Sequence, residues 1–424
     1  MDFAYGLVLP LIPEGKAKDT NFLTLELDSR VQSDHGSCQE SKSSLSPMMA
    51  VPATQRAVVT REVGKTLNMS LETISVREPG PSEVVIRISY SGICCSDSMF
   101  SVGPQPGYPK YNHIAGHEGI GHIVKSHEPT LAPSTNRLYG IRYLAWSCGS
   151  CTYCLHDLPT SCPSQLNTPK QVPGTFQEYL TVPSCVLVPL PENITDGRVD
   201  TALYAAALCS GSTALTSLRA ASLGAGSIVV VVGVMGAIGH LVGMIAKKIL
   251  GAKVIGVDLP AKVDRASPQD SHDYCDILLG APKSHQGNAW EEFHAAVLNA
   301  CAQLRGEQRG GGVKRAAECV IVTSSSIEAF QKLDEYVRDG GTIVCAGVPK
   351  GLNRVSLPLH CLVERNLHLS GNLMGSHDAA LEVMEYIRTN RITPRVSKVR
   401  LEGVPERLQA MMDYQTVGKV VVCM

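Results

Sequence analysis

The sequence predicts an α/β protein in which a doubly wound parallel sheet is joined to a second, β-rich domain. From Gln55 to about Cys209 the chain runs in short alternating apolar stretches, broken by Pro79, Gly80 and Pro81. After Cys209 its rhythm changes to strand, helix, strand. At 424 residues it also exceeds what one hydrophobic core usually organises, so two domains are expected.

Taken in order, residues 1–51 stand apart. Ser33 to Ser46 is rich in Ser and Gln, and the first 50 residues carry four basic and seven acidic side chains. A segment this poor in periodic apolar residues does not offset its ordering entropy, so it reads as a loosely ordered extension, or as an inaccurate gene start. Arg56 to Thr60 and Glu83 to Tyr90, with Val84, Ile86 and Ile88 on one face, read as strands. Ile228 to Val232 is a β-branched run, Leu241 to Leu250 has helical spacing, and Val254 to Val257 is a second strand. Further strands are expected at Cys319 to Thr323, Thr342 to Ala346 and Leu367 to Leu369, with a helix near Ile327 to Val337. That alternation argues for a parallel sheet covered on both faces. Gly306 to Gly312 reads as a flexible surface loop.

A composition of 44% hydrophobic and 18% charged residues is that of a soluble globular protein. The formal net charge of −1 gives no electrostatic reason to expect nucleic acid or an anionic membrane as partner. No apolar run is long enough to span a bilayer, and Met1 to Pro13 lacks the basic start of a signal peptide. The 15 cysteines are therefore expected to be reduced, in the cytoplasm, as metal ligands and small core residues.

Gly233, Gly236 and Gly239 follow a strand and open a helix. A dinucleotide site needs a tight turn, close backbone approach to a pyrophosphate and a helix packed against its strand, and small residues meet all three needs. Asp258 ends the next strand, 19 residues past Gly239, where a carboxylate accepts from ribose hydroxyls and repels a 2′-phosphate. NAD is expected rather than NADP, although Lys262 and Arg265 lie just beyond. Cys148, Cys151, Cys154 and Cys162 are spaced C-x2-C-x2-C-x7-C. Four thiolates on one short lobe surround a zinc completely, which marks a structural site. A nucleic-acid-binding zinc ribbon is the alternative, disfavoured by Asp157 and the scarcity of basic residues nearby.

Cys94, His117 and Cys209 are spread out, and each alone reads as an ordinary buried residue. The order of their segments, with the cysteine lobe after the second and the glycines after the third, resembles the zinc-dependent alcohol dehydrogenases of the medium-chain dehydrogenase/reductase superfamily. The likeness runs from about Gln55 through Gly418-Lys419-Val420, and is nearest the tetrameric microbial branch because only a short connection follows Cys162. It implies a GroES-like catalytic domain over 52–209 with the zinc lobe, a Rossmann domain over 210–373, and a return to the catalytic domain over 374–424. It also implies two zinc ions per chain, one held by Cys94, His117 and Cys209, with Glu118 able to approach the metal. In the family, the residue matching Ser96 hydrogen-bonds the reacting oxygen. Asp97 is expected on the other ring nitrogen of His117, and Lys419 at the pyrophosphate. Three protein ligands leave one position for an alcohol or carbonyl oxygen, whose hydride passes to or from the nicotinamide. A homo-oligomer, with a tetramer favoured, follows from the resemblance alone.

Several residues depart from the family. Met99 replaces the histidine that ends the proton relay, and Cys95 stands where relatives place His or Arg toward the cofactor phosphates. Tyr143 fills one aromatic position of the substrate pocket, but Gln105 occupies another, so a wider pocket for a longer or bulkier alcohol is expected. Asn136-Arg137 replaces the usual Gly-Asp turn. The alternatives are a polyol or secondary-alcohol dehydrogenase of the same superfamily, or a catalytically idle relative that binds NAD(H).

Overall fold

The computed structural model describes residues 50–267, 271–307, 316–349, 351 and 353–424. Nearly all of the expected N-terminal extension, and residues 308–312 of the expected glycine loop, lie outside them. The described residues belong to one contact unit, Ser43–Met424. Among them no helix is long and apolar enough to cross a membrane.

The first half is built on β1 (Thr54–Glu62), β2 (Ser70–Ser75) and β3 (Glu83–Ile93). β1 lies between β2 and β4 (Tyr111–His113) in a small antiparallel sheet. β3 is central to a larger sheet with β5 (Gly119–Ser126) and β6 (Tyr139–Ile141). The short pair β7 (Leu144–Trp146) and β8 (Leu166–Asn167) brackets the four-cysteine lobe. β9 (Tyr179–Pro183) also pairs with β3, and β10 (Val188–Pro189) with β6. Val84, Ile86 and Ile88 bury one face of β3 against Ile123, Leu180 and Val182.

The second half holds a six-stranded parallel sheet. It is formed by β11 (Ile228–Val232), β12 (Lys253–Asp258), β13 (Ile277–Gly280), β14 (Ala317–Val322), β15 (Val337–Cys345) and β16 (His368–Gly371). Their spatial order is β13-β12-β11-β14-β15-β16. β11 is buried on both faces, and its period of two sorts the side chains. Val229 and Val231 enter one core with Leu241 and Ile245, whereas Ile228, Val230 and Val232 enter another with Val297 and Cys301. The chain then returns to the first sheet, where β18 (Lys419–Cys423) is inserted between β3 and β17 (Val396–Arg400).

One expected helix is corrected. Ile327 to Val337 forms two 3-10 turns, Ile327–Phe330 and Leu333–Glu335, before β15 begins. Lys332 between them adopts a left-handed backbone at φ 52°, which interrupts any α-helical ladder. The helix that covers this face precedes β14 instead, at Asn288–Arg305, and ends on Gly306 in the left-handed conformation.

Candidate active site

Cys94 sits at the end of β3, immediately before α1 (Cys95–Ser101). Its N–H donates to Asp97 Oδ2 at 2.9 Å. Asp97 Oδ1 accepts from Gly116 N–H at 3.1 Å and lies 2.8 Å from His117 Nδ1. A carboxylate on Nδ1 fixes the ring and leaves Nε2 as the free lone pair. Cys209 comes from a π turn, Ala207–Gly211, that leads into α3 (Ser212–Ala220). One donor atom from each of Cys94, His117, Glu118 and Cys209 lies within 4.8 Å of the others.

Burying these ionisable groups together shifts them. The Cys94 thiol falls well below its usual range, first because Cys209 donates to it, with His117 and the Lys419 ammonium adding to the effect. Burial works to lower the His117 pKa, but Asp97 and Cys94 hold it well above the usual imidazole value. Burial pushes Glu118 up to about 7 against the pull of Lys419. Glu118 Oε2 is buried without a hydrogen-bond partner. Two thiols, an imidazole and a carboxylate gathered this closely suit a single metal ion of zinc type.

In the lobe, Sγ–Sγ distances are 4.0 Å for Cys148–Cys154, and 3.6 Å for both Cys151–Cys154 and Cys148–Cys162. A tetrahedron with zinc–sulfur distances of about 2.3 Å has edges of about 3.8 Å. These separations match it and are far too long for disulfides. Gly149, at φ 70°, makes the tight turn, and α2 (Thr152–Leu155) follows Cys151.

A cavity of about 470 Å³ joins the two halves of the chemistry, lined by Gly233, Gly236 and Asp258 and also by Cys94 and Cys95. Gly233 has φ 85°. A Cβ on Gly239 would meet Gly233 O at 2.1 Å, so α4 (Gly239–Lys248) packs against the turn as the fingerprint requires. A Cβ on Gly236 would meet only Gly233 O, at 3.3 Å, and would otherwise fill the cleft itself. Asp258 Oδ2 accepts from Met235 N–H at 2.8 Å, and Lys262 Nζ lies 3.7 Å from its Oδ1. Cys95 Sγ stands 3.5 Å from Ser325 Oγ across the cleft.

Other site residues are placed differently from expectation. Lys419 was expected to face a pyrophosphate, yet it is fully buried and donates to Glu118 Oε1 and Ser210 Oγ. The carboxylate beside the metal cluster, and not the cleft, supplies its counter-charge. Tyr143 packs edge-on against His117, with centroids 5.8 Å apart. Gln105 is exposed. Tyr108, three residues on, stacks on Phe100 at 4.7 Å and meets the Tyr143 hydroxyl at 2.9 Å. Tyr108, Phe100 and Tyr143 thus form one aromatic cluster beside His117. Ser96 and Met99 are half-buried in α1.

Tyr108 and the buried Arg142 were not foreseen. Arg142 did leave a signal, a lone charge in the apolar run Tyr139 to Trp146.

The family description "Alcohol dehydrogenase GroES-like domain" matches residues 80–192, and "Zinc-binding dehydrogenase" matches residues 237–389. The chain belongs to the zinc-dependent alcohol dehydrogenases. Within this medium-chain superfamily, alcohol dehydrogenase 2 of Emericella nidulans is 27% identical over 382 residues, 88% of this chain and 98% of that protein. Alcohol dehydrogenase 2 of Caenorhabditis elegans is 29% identical over 374 residues, 88% of this chain and 97% of its own length. A crystal structure of an NAD-dependent alcohol dehydrogenase superposes with a TM-score of 0.71 at 23% identity, covering 87% of this chain and 99% of the other. At that identity the likeness speaks for the fold alone.

Proposed function

We propose that the chain catalyses reversible hydride transfer between a primary or secondary alcohol and NAD(H). One observation carries the reading. The same cavity is lined by the glycine turn and Asp258 and by Cys94 of the metal cluster, so residues that would hold the cofactor and residues that would hold the metal open onto one cleft. Cys94, His117 and Cys209 would hold a catalytic zinc, with Glu118 beside it, and Cys148, Cys151, Cys154 and Cys162 a structural one. The catalytic ion supplies a Lewis acid that eases ionisation of an alcohol or polarises a carbonyl.

The chain's own residues do the rest. Asp97 orients His117, and Ser96 takes the hydroxyl proton. Met99 has no proton to carry, so transfer from Ser96 ends in water. Gly233, Gly236 and Gly239 cradle the pyrophosphate. The Asp258 carboxylate receives the adenosine ribose, which favours NAD over NADP. Tyr143 and Tyr108 wall the substrate side. The two thiol-rich clusters suit a reducing compartment such as the cytoplasm.

Association into a homo-oligomer is supported by exposed apolar residues on edge strand β16 and near it, namely Leu359, Val363, Leu369 and Leu373. Light scattering on the purified protein tests that part.

The decisive experiment is metal analysis combined with a panel of alcohols and both nicotinamide cofactors. Two zinc ions per chain and alcohol-dependent NADH formation, abolished by chelation, are expected. Protein that carries both ions yet forms no NADH with any alcohol would instead be an idle binder of the cofactor.

A further inference from the structure

Arg142 lies between β6 and β7, only 3% exposed. Among the described residues it forms no ion pair with a carboxylate. Its Nε donates to Leu208 O at 2.8 Å, and its Nη2 donates to Gly375 O at 2.7 Å and to Ser212 Oγ at 3.2 Å. Burial lowers it to about 10, so it remains a cation at neutral pH. A buried cation paired only with neutral acceptors is costly to keep, and its removal would strand those acceptors.

Those acceptors surround one residue. Leu208 precedes Cys209 in the π turn, and Ser212 follows it by three. Ser212 Oγ donates in turn to Cys209 O at 3.0 Å, and Thr213 Oγ1 donates to the same carbonyl at 2.7 Å. A π turn widens the helix and takes its carbonyls off the ordinary ladder, so their direction must be set from outside. Arg142 supplies that constraint through the Leu208 carbonyl and the Ser212 hydroxyl. A Cβ on Gly375 would meet Ser212 O at 2.3 Å, so the third acceptor is also locked against the same turn.

We infer that Arg142 is a positioning residue for Cys209, its guanidinium fork clamping the π turn so that the sulfur points at Cys94 and His117. The inference rests on the proposed reading of those three residues as metal ligands. A lysine offers one point charge and cannot span three acceptors in fixed directions, so Arg142→Lys should rescue only in part.

The test uses full-length, zinc-loaded protein and compares wild type, Arg142→Ala and Arg142→Lys. Zinc release into a chromophoric chelator is followed, and the visible spectrum is recorded after cobalt exchange. One of the two ions should leave about 10-fold faster or more in Arg142→Ala, with altered cobalt bands, a smaller effect in Arg142→Lys, and an unchanged second ion. Wild-type release rates and an unaltered cobalt spectrum would overturn the inference even if the melting temperature fell, because a merely structural role predicts that combination. If Arg142→Ala does not fold, Arg142→Lys decides by the same two measurements. Cys209→Ser separates the two failures. Should it retain both ions at wild-type rates, the ligand assignment itself is wrong and this inference falls with it.

Discussion

Asp97 serves three donors with one carboxylate: the N–H of Cys94, the N–H of Gly116 and the His117 ring. Two of these groups belong to proposed metal ligands, so removing the carboxylate disturbs both at once. Asp97→Ala should weaken zinc at the three-residue site by about 10–100-fold, read by chelator competition, while the lobe keeps its ion. Equal retention of both ions would contradict that role. The lobe was legible in the sequence because its four ligands lie within one short stretch, where spacing alone implies geometry. Cys94, His117 and Cys209 are far apart in the chain, and only a family resemblance gathered them. The partners of Lys419, Tyr108 and Arg142 were not legible, since each is chosen by tertiary packing. A lysine at a plausible cofactor position reads the same whether it meets a phosphate or the Glu118 carboxylate.

The unit β11, α4 and β12 was readable in advance because its signals agree. A β-branched run, a glycine turn and a helical apolar stripe each specify one element, and together they specify their order. Gly239→Ala tests the tightest point. With 2.1 Å available between the added Cβ and Gly233 O, α4 must shift away from the turn, at a cost of about 1–3 kcal/mol. Weaker NADH binding in a fluorescence titration and a lower urea midpoint are both expected; wild-type values for both would show that the turn is slack. The misplaced helix at Ile327 to Val337 has a local cause. Ile327, Phe330, Leu333 and Val337 recur at helical intervals, but Lys332 breaks the ladder, and a backbone angle leaves no trace in apolar spacing. The helix Asn288–Arg305 was missed because its buried stripe is thin: beside Trp290, Phe293 and Val297 it offers only the small Ala300, Cys301 and Ala302.

At the scale of the molecule, acid should be a sensitive stress. Burial pushes both His113 and His240 down to about 4, against about 6.5 in an unfolded chain. Between those values the unfolded state takes up protons that the folded state refuses. The stability these residues allow is therefore whole above pH 6.5, is lost as pH falls toward 4, and levels off below it. Each histidine contributes about 3 kcal/mol to that slope, and His113→Leu should flatten the acid limb of a urea midpoint-versus-pH curve. An unchanged limb would mean that His113 is hydrated in solution. The strand order has a consequence in time. β18 fills a central place beside β3, and the Lys419–Glu118 contact spans 301 residues of chain. At about 5–20 residues per second of synthesis, the Tyr90–Ile93 end of β3, the part that β9 does not pair with, waits roughly 15–60 s before its neighbour exists, with that stretch of edge open to misplaced pairing. Nascent chains halted short of residue 419 should accordingly be cut by protease within residues 54–126 and become resistant once the last strand emerges; early resistance would mean that another segment guards that edge meanwhile.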